Sequence, residues 1–158
     1  MHNCIIQIDK ESFDDREDDL ITSDDFINSF DWFVPEIADY VRDFDNDEET
    51  LENIKYTLDR PGLRYADGKL TIVSKEAYFL DRYKEFIDIA RDVCQWSLDD
   101  FISGKKWMEI STMYDLYDDK FCTYIADGYH GITTLDDFIR DCENGTEFYV
   151  GNALDYHF

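Results

Sequence analysis

The stretch LRYADGKLTIVSKEAYFLDRYKEFIDIARDVCQW, residues 63–96, carries the signal that sets the fold class. Leu63 to Val73 reads as a β-hairpin, because Asp67-Gly68 supplies the tight turn between two short apolar runs. Ser74 then stands as an N-cap. Apolar residues recur at Phe79, Tyr83, Phe86, Ile87, Ala90, Val93 and Cys94, in steps of four, three and one. That spacing predicts a long amphipathic helix over about 75–96 with one buried stripe. A hairpin running straight into such a helix points to an α+β chain.

Upstream, Cys4 to Ile8 reads as a short strand and Glu11 to Asp19 as an acidic loop. A helix is expected from Thr22-Ser23-Asp24-Asp25 to about Phe30, and another over 35–44 with Ile37, Tyr40, Val41 and Phe44 on one stripe. A third should cover about 48–58, capped by Asp45 and Asp47, with Leu51, Ile54 and Leu58 inward, until Arg60-Pro61-Gly62 stops it. Downstream, Ser97 to Gly104 extends or restarts the long helix, and 107–113 reads as helical. Phe121 to Ala126 reads as a strand, Leu135 to Cys142 as a helix, and Thr146 to Phe158 as a closing strand pair. The expectation is one α+β domain over 1–158. It has a strongly acidic helical part over about 9–60, an α+β remainder over about 61–158, and a small antiparallel sheet of about five short strands. Three phrases share one pattern, a hydroxyl residue followed by Asp at the third position and Phe-Ile: Thr22 to Ile27, Ser97 to Ile102 and Thr134 to Ile139. Capping boxes with Asp in place of Glu explain them without invoking a repeat.

Charge is the outstanding feature. The 158 residues hold 38 acids against 15 Lys and Arg, net −23, and the first 60 alone hold 19 acids against 5 bases, net −14. Solubility asks for a net charge of only about 2–8, and excess beyond that repels itself. Disorder is not the explanation, since 16% of the residues are aromatic. A DNA duplex carries one charge per ~1.7 Å of axis, so a charge of −23 corresponds to about a dozen base pairs. Aspartates outnumber glutamates 27 to 11, and the shorter stem places the charge more definitely.

The acids fall in rows. Asp81, Glu85, Asp88 and Asp92 line one face of the long helix, with Lys84 and Arg91 beside them. Glu36, Asp39 and Asp43 make a row on the expected 35–44 helix, and Glu48 and Glu52 another on the next. The loop adds Asp14, Asp15, Glu17, Asp18 and Asp19. With Asp24, Asp25, Asp45 and Asp47 these residues form the candidate partner-binding set. A coat made only for solubility would alternate signs along its faces.

Other chemistries fit poorly. Asp43-Phe44-Asp45-Asn46-Asp47 opens like a calcium loop, but Glu48 stands where such a loop needs Gly and Ile54 where it needs Glu. Asp67-Gly68-Lys69 spells a nuclease-like element, yet it is better read as the hairpin turn. Cys122, His130, Cys142 and His157 have the spacing of no zinc finger or ribbon. No phosphate loop or catalytic motif occurs, so neither cofactor, metal nor enzymatic activity is expected. The cysteines form no CxxC pair and read as reduced thiols. With no signal peptide and no apolar run of membrane-spanning length, the expected location is the cytoplasm. Direct binding to nucleic acid or anionic membrane is disfavoured by charge.

In size, charge and aromatic-rich acidity the chain resembles the acidic DNA-mimic inhibitors of phages and mobile elements, the anti-restriction and anti-CRISPR class. The resemblance is one of character and carries no motif. It implies a non-enzymatic protein, acting in a bacterial host cell, that blocks the basic nucleic-acid groove of a defence nuclease or CRISPR effector. An immunity protein neutralising a basic toxin nuclease has similar electrostatics. A small enzyme with an unrecognised pocket and an acid coat that serves only solubility are the remaining readings.

Overall fold

The strand β1 (His2–Asp9) lies inside the sheet, between β7 (Glu147–His157) and β5 (Tyr124–Asp127). Its side chains alternate between faces, and Cys4, Ile5, Ile6 and Ile8 are all buried, so both faces are covered. The computed structural model describes residues 1–128 and 131–158. The remaining elements, in chain order, are α1 (Ser23–Ser29), α2 (Phe33–Glu36), β2 (Tyr40–Asp43), α3 (Asp47–Leu58), β3 (Leu63–Ala66), β4 (Lys69–Ile72), α4 (Lys75–Val93), α5 (Leu98–Ser103), α6 (Trp107–Tyr117), β5 (Tyr124–Asp127), β6 (Gly131–Thr134), α7 (Leu135–Asp141) and β7 (Glu147–His157). The chain divides into two compact units, 1–75 with 121–158, and 76–120.

The first unit is an α+β layer structure around a mixed sheet of order β3-β4-β7-β1-β5-β6, with β2 also on β7. β1 pairs antiparallel with β7 and parallel with β5. At eleven residues, β7 is long enough to take β4 beside Glu147–Tyr149 and β2 beside Leu154–His157. One face of the sheet packs Ile5, Tyr124, Leu154 and Tyr156 against Phe26 of α1, Phe33 of α2 and Val41 of β2. Phe33 meets Phe26, Tyr124 and Tyr156 edge-on at 5.0–5.5 Å, the geometry that aromatic quadrupoles favour. The other face carries Cys4, whose thiol is pushed up in pKa by burial, against the opposing effect of Thr57 on α3. The three capping phrases behave as expected. Thr22, Ser97 and Thr134 accept from the amides of Asp25, Asp100 and Asp137, and Ser97 forms the full reciprocal box with Asp100.

Several expectations need correction. The sheet is larger than a set of hairpins, has seven strands and contains a parallel pair. The closing segment is one long strand because its two halves find different partners along the same edge. The expected 35–44 helix is absent. Instead Val41 turns into the core while Tyr40 and Arg42 stay exposed, the period of a strand. The β-branched and aromatic pair Tyr40-Val41 suits a strand, and the free edge of β7 decides the matter. Asn46, not Asp45 or Asp47, caps α3, accepting from the Glu49 amide, and Leu51 is exposed. The hairpin holds, with positive φ at both Asp67 and Gly68.

The second unit comprises α4 from Glu76 onward, α5 and α6. Its helix α4 ends at Val93, where i to i+3 bonds from Gln95 and Trp96 tighten the last turn. Gly104 closes α5 at φ +61, a left-handed conformation that favours glycine. The stripe expected to be core is half-buried, except Tyr83 and Cys94, which are exposed. Tyr78 is the one buried residue of this unit.

Candidate partner-binding surface

Arg16 organises the acidic loop. Its guanidinium donates to the Asp9 carboxylate at 2.9 Å, to the Glu11 carbonyl at 2.9 Å, to the Ser12 carbonyl at 3.0 Å and to Asp19 at 3.4 Å. It also lies over the Phe13 ring at 5.1 Å. The loop is thereby wrapped around one cation, and Asp14, Asp15, Glu17 and Asp18 remain on its outside, exposed. A shallow groove of about 430 Å³ runs among residues 14–19. Burial works against ionisation of Asp9, but the Glu11 amide and Arg16 outweigh it and hold this carboxyl below its usual range.

The loop is pinned to the sheet by two amides. Gln7 donates to the Asp19 carbonyl at 2.7 Å and accepts from the amides of Ile21 at 3.0 Å and Asn152 at 3.3 Å. Asn152 donates to the Ile21 carbonyl at 2.8 Å. Leu20 to Thr22 then leads directly into α1, whose first turn carries the exposed Asp24 and Asp25. Asp43, at the end of β2, accepts from the Ser23 hydroxyl at 2.6 Å and the Ser23 amide at 3.1 Å. That contact sets the start of α1 against the end of β2, immediately before Asp45, Asp47 and Glu48. Glu48 and Glu52 lie four apart on α3, both exposed.

Residues 24–25 therefore adjoin Asp43, and the 14–19 loop leads into them along the chain, whereas Glu48 and Glu52 stand on α3, which packs against the opposite face of the sheet from α1. The Glu36, Asp39 and Asp43 row does not exist as a helix face, because these residues span α2, a connection and β2. Glu36 is exposed, and Asp39 meets His157 Nδ1 at 3.1 Å. Asp81, Glu85, Asp88 and Asp92 are exposed on α4 as spaced, but they belong to the second unit.

Pairing separates the two groups. On α4, Lys84 bridges Asp81 at 3.1 Å and Arg91 bridges Asp88 at 2.9 Å. Among the described residues, Asp14, Asp15, Glu17, Asp18, Asp24, Asp25, Glu36, Asp43, Asp45, Asp47, Glu48 and Glu52 have no cationic partner within 4 Å. Arg42, next to Asp43 in sequence, is turned onto the buried Asp155 at 2.8 Å.

Of the four Cys and His residues considered for zinc, His130 lies outside the described residues. Cys122 donates to the Thr123 carbonyl, His157 stacks on Tyr40 with ring centroids 5.3 Å apart, and burial raises the pKa of Cys142. No group of three or more metal-ligating side chains is placed to hold an ion among the described residues. No described helix is long and apolar enough to cross a membrane.

Arg16, Gln7, Asn152 and Gly151 are the parts that sequence reasoning missed. A Cβ on Gly151 would lie 2.6 Å from Gln7 Oε1 and 3.0 Å from Phe13 Cζ. A glycine inside a strand was the available signal for such a close approach. Compared with known proteins, the chain matches no family model, no curated protein and no solved structure.

Proposed function

We propose that this protein is a non-enzymatic inhibitor that imitates nucleic acid and occupies the basic groove of a nucleic-acid-binding protein, a defence nuclease or CRISPR effector. The observation that supports it is the unequal pairing of acids. Twelve of the carboxylates of residues 14–52, from Asp14 to Glu52, are exposed and without cationic partners within 4 Å among the described residues, Asp19 and Asp39 being held by Arg16 and His157, while Asp81 and Asp88 of α4 are neutralised in place. A cationic groove gains most from charges that are not already satisfied. Long-range attraction then speeds encounter and rejects neutral surfaces. Because Arg16 and Gln7 tie the loop down, its charges come at defined positions, which lowers the ordering cost of binding.

The test is capture from a bacterial host lysate at low salt, followed by competition with duplex DNA. Recovery of a basic nucleic-acid enzyme that DNA displaces supports the proposal. Capture of one small toxin in equal amount, with no competition by DNA, favours the immunity reading instead. Against the captured target, neutralising Asp14, Asp15, Asp18 and Glu48 to Asn or Gln should weaken binding about 30-fold, taking about 0.5 kcal/mol for each exposed contact. The matched set at Asp81, Glu85, Asp88 and Asp92 should weaken it much less. Equal losses from both sets would refute the assignment of the site to residues 14–52.

A further inference from the structure

The second unit is poor in buried surface and rich in exposed apolar surface. On α5, Leu98, Phe101 and Ile102 share a face at steps of three and one; on α6, Trp107, Ile110 and Tyr114 do so at steps of three and four. All six are between 48% and 74% exposed. Phe101, Trp107 and Ile110 line one groove of about 430 Å³, together with Trp96 and Lys106. The Trp96 indole N–H, shut off from solvent, has no acceptor among the described residues. An exposed apolar patch of this kind marks a contact surface.

We propose that this face is the interface of a homodimer, with α5 and α6 of one chain seated on the same elements of a second copy. Three observations favour a second copy over a different partner. First, the area is right. At these exposures each of the six side chains presents on the order of 100 Å², so a copy offers roughly 600–800 Å², close to the ~800 Å² per partner of a standard interface. Second, charge around the face is self-complementary. Asp99 precedes Ile102 by three residues and Lys105 follows it by three. Asp99 lies in the first turn of α5 and Lys105 just past Gly104, which closes it, so an antiparallel pairing of two copies of α5 about a two-fold axis sets the Asp99 end of each against the Lys105 end of the other, as an isologous contact requires. A basic partner of the kind proposed for residues 14–52 would meet Lys105 and Lys106 as like charges. Third, repulsion between copies is least here. Residues 76–120 hold 11 acids against 6 bases, net −5, whereas the rest of the chain holds 27 against 9.

The experiment uses the full chain and does not involve residues 14–52, so it fails or succeeds independently of the proposed function. Sedimentation equilibrium at physiological salt should give twice the 18.8 kDa chain mass, with dissociation on dilution. Phe101→Asp and Trp107→Asp should each be monomeric with unchanged far-UV circular dichroism. The charge contact has its own check. Lys105→Glu and Asp99→Lys should each dimerise less well alone, and their mixture should recover a heterodimer. A Trp32→Phe background leaves only Trp96 and Trp107 as indole fluorophores, and their emission should shift to the blue as concentration rises. A wild-type chain that remains monomeric throughout the micromolar range overturns the proposal. So does a dimer that survives both aspartate substitutions, or a charge-reversed mixture that recovers nothing.

Discussion

Substituting Gly151 by alanine tests whether the acidic loop acts through fixed geometry or through charge alone, because it changes no charge. Gly151 does not lie among the positive-φ glycines, so alanine meets no backbone strain and the cost is steric. The new methyl would sit 2.6 Å from Gln7 Oε1, 3.1 Å from Gln7 Cδ and 3.0 Å from Phe13 Cζ. Phe13 cannot yield freely, since it carries the Arg16 guanidinium. Gln7 can swing away only by releasing the Ile21 and Asn152 amides and the Asp19 carbonyl. Overpacking costs about 1–3 kcal/mol, and each lost hydrogen bond about 0.5–1.5 kcal/mol. Restricting the unfolded chain returns about 0.4–1 kcal/mol. The net expectation is about 2 kcal/mol of destabilisation, a fall in Tm of about 4–8 °C for a chain of this size. Thermal unfolding reads the stability, and hydrogen exchange at Ile21 and residues 14–19 should quicken. A double-mutant cycle supplies the decisive arm. In a Gln7→Ala background the clash with the side-chain amide is gone, so Gly151→Ala should cost at least ~1 kcal/mol less than in the parent. Target binding should fall in Gly151→Ala although net charge is unchanged. Parental stability, or additive effects in the cycle, would refute the claim that Gly151 is reserved for the Gln7 anchor.

Acid should expose the Asp9–Arg16 pair. With its folded pKa depressed, Asp9 contributes stability that is present above its unfolded value near ~3.9 and lost as pH falls through the folded value. Arg16→Ala should therefore be less stable than the parent at pH 7, with the difference shrinking as Asp9 is protonated in both, as followed by acid titration of the far-UV signal; a gap independent of pH would count against the pairing. Raising salt from about 10 mM to about 150 mM shortens the screening length from about 30 Å to about 8 Å. The Tm should rise by a few degrees, and by less in the variant neutralised at Asp14, Asp15, Asp18 and Glu48. An equal rise in both would place the repulsion elsewhere.

What was legible in the sequence was local. Asp67-Gly68 announces its turn because two successive residues of that type tolerate positive φ. The Thr22, Ser97 and Thr134 caps are visible because cap and bonded amide lie three residues apart. Errors arose where a distant strand made the choice. Residues 37–44 have helical spacing, and nothing nearby reveals that Leu154–His157 offers an open edge for Tyr40–Asp43. The parallel pairing of β1 with β5 joins residues more than a hundred positions apart and leaves no periodic trace. Within the site, the exposed acids were readable from composition and spacing. Their anchors were not, since Gln7 to Ile21 and Asn152, and Ser23 to Asp43, are single contacts across the fold. The stripe on α4 was expected to be core because spacing reports amphipathicity and is silent about what covers the face.

The fate of the cations bears most directly on whether the acid is functional or only solubilising. With 15 Lys and Arg for 38 acids, neutralisation is necessarily incomplete; the question is where the deficit falls. Arg42 is directed to the buried Asp155, where His2 also binds. Lys75 donates to the carbonyls of Arg140 and Cys142 at the end of α7. Lys10 lies over the Phe148 ring and Lys69 over Tyr149. Lys84, Arg91 and Arg140 each pair three residues back on their own helices. Arg16 is held within its own loop. Arg16 and Lys55 of α3 apart, these basic side chains are thus committed to the sheet or to the later helices. A solubilising coat has no reason to distribute its deficit, since any arrangement of excess charge keeps molecules apart. Leaving most acids of residues 14–52 unpaired while pairing Asp81 and Asp88 concentrates unsatisfied potential on the 14–19, 24–25 and 43–52 segments, and like charges four apart on a helix there cost about 0.2–0.5 kcal/mol each in self-repulsion. That cost is recovered when a cationic surface is brought against those segments, which is why the pairing pattern, more than the net charge, argues for a basic partner.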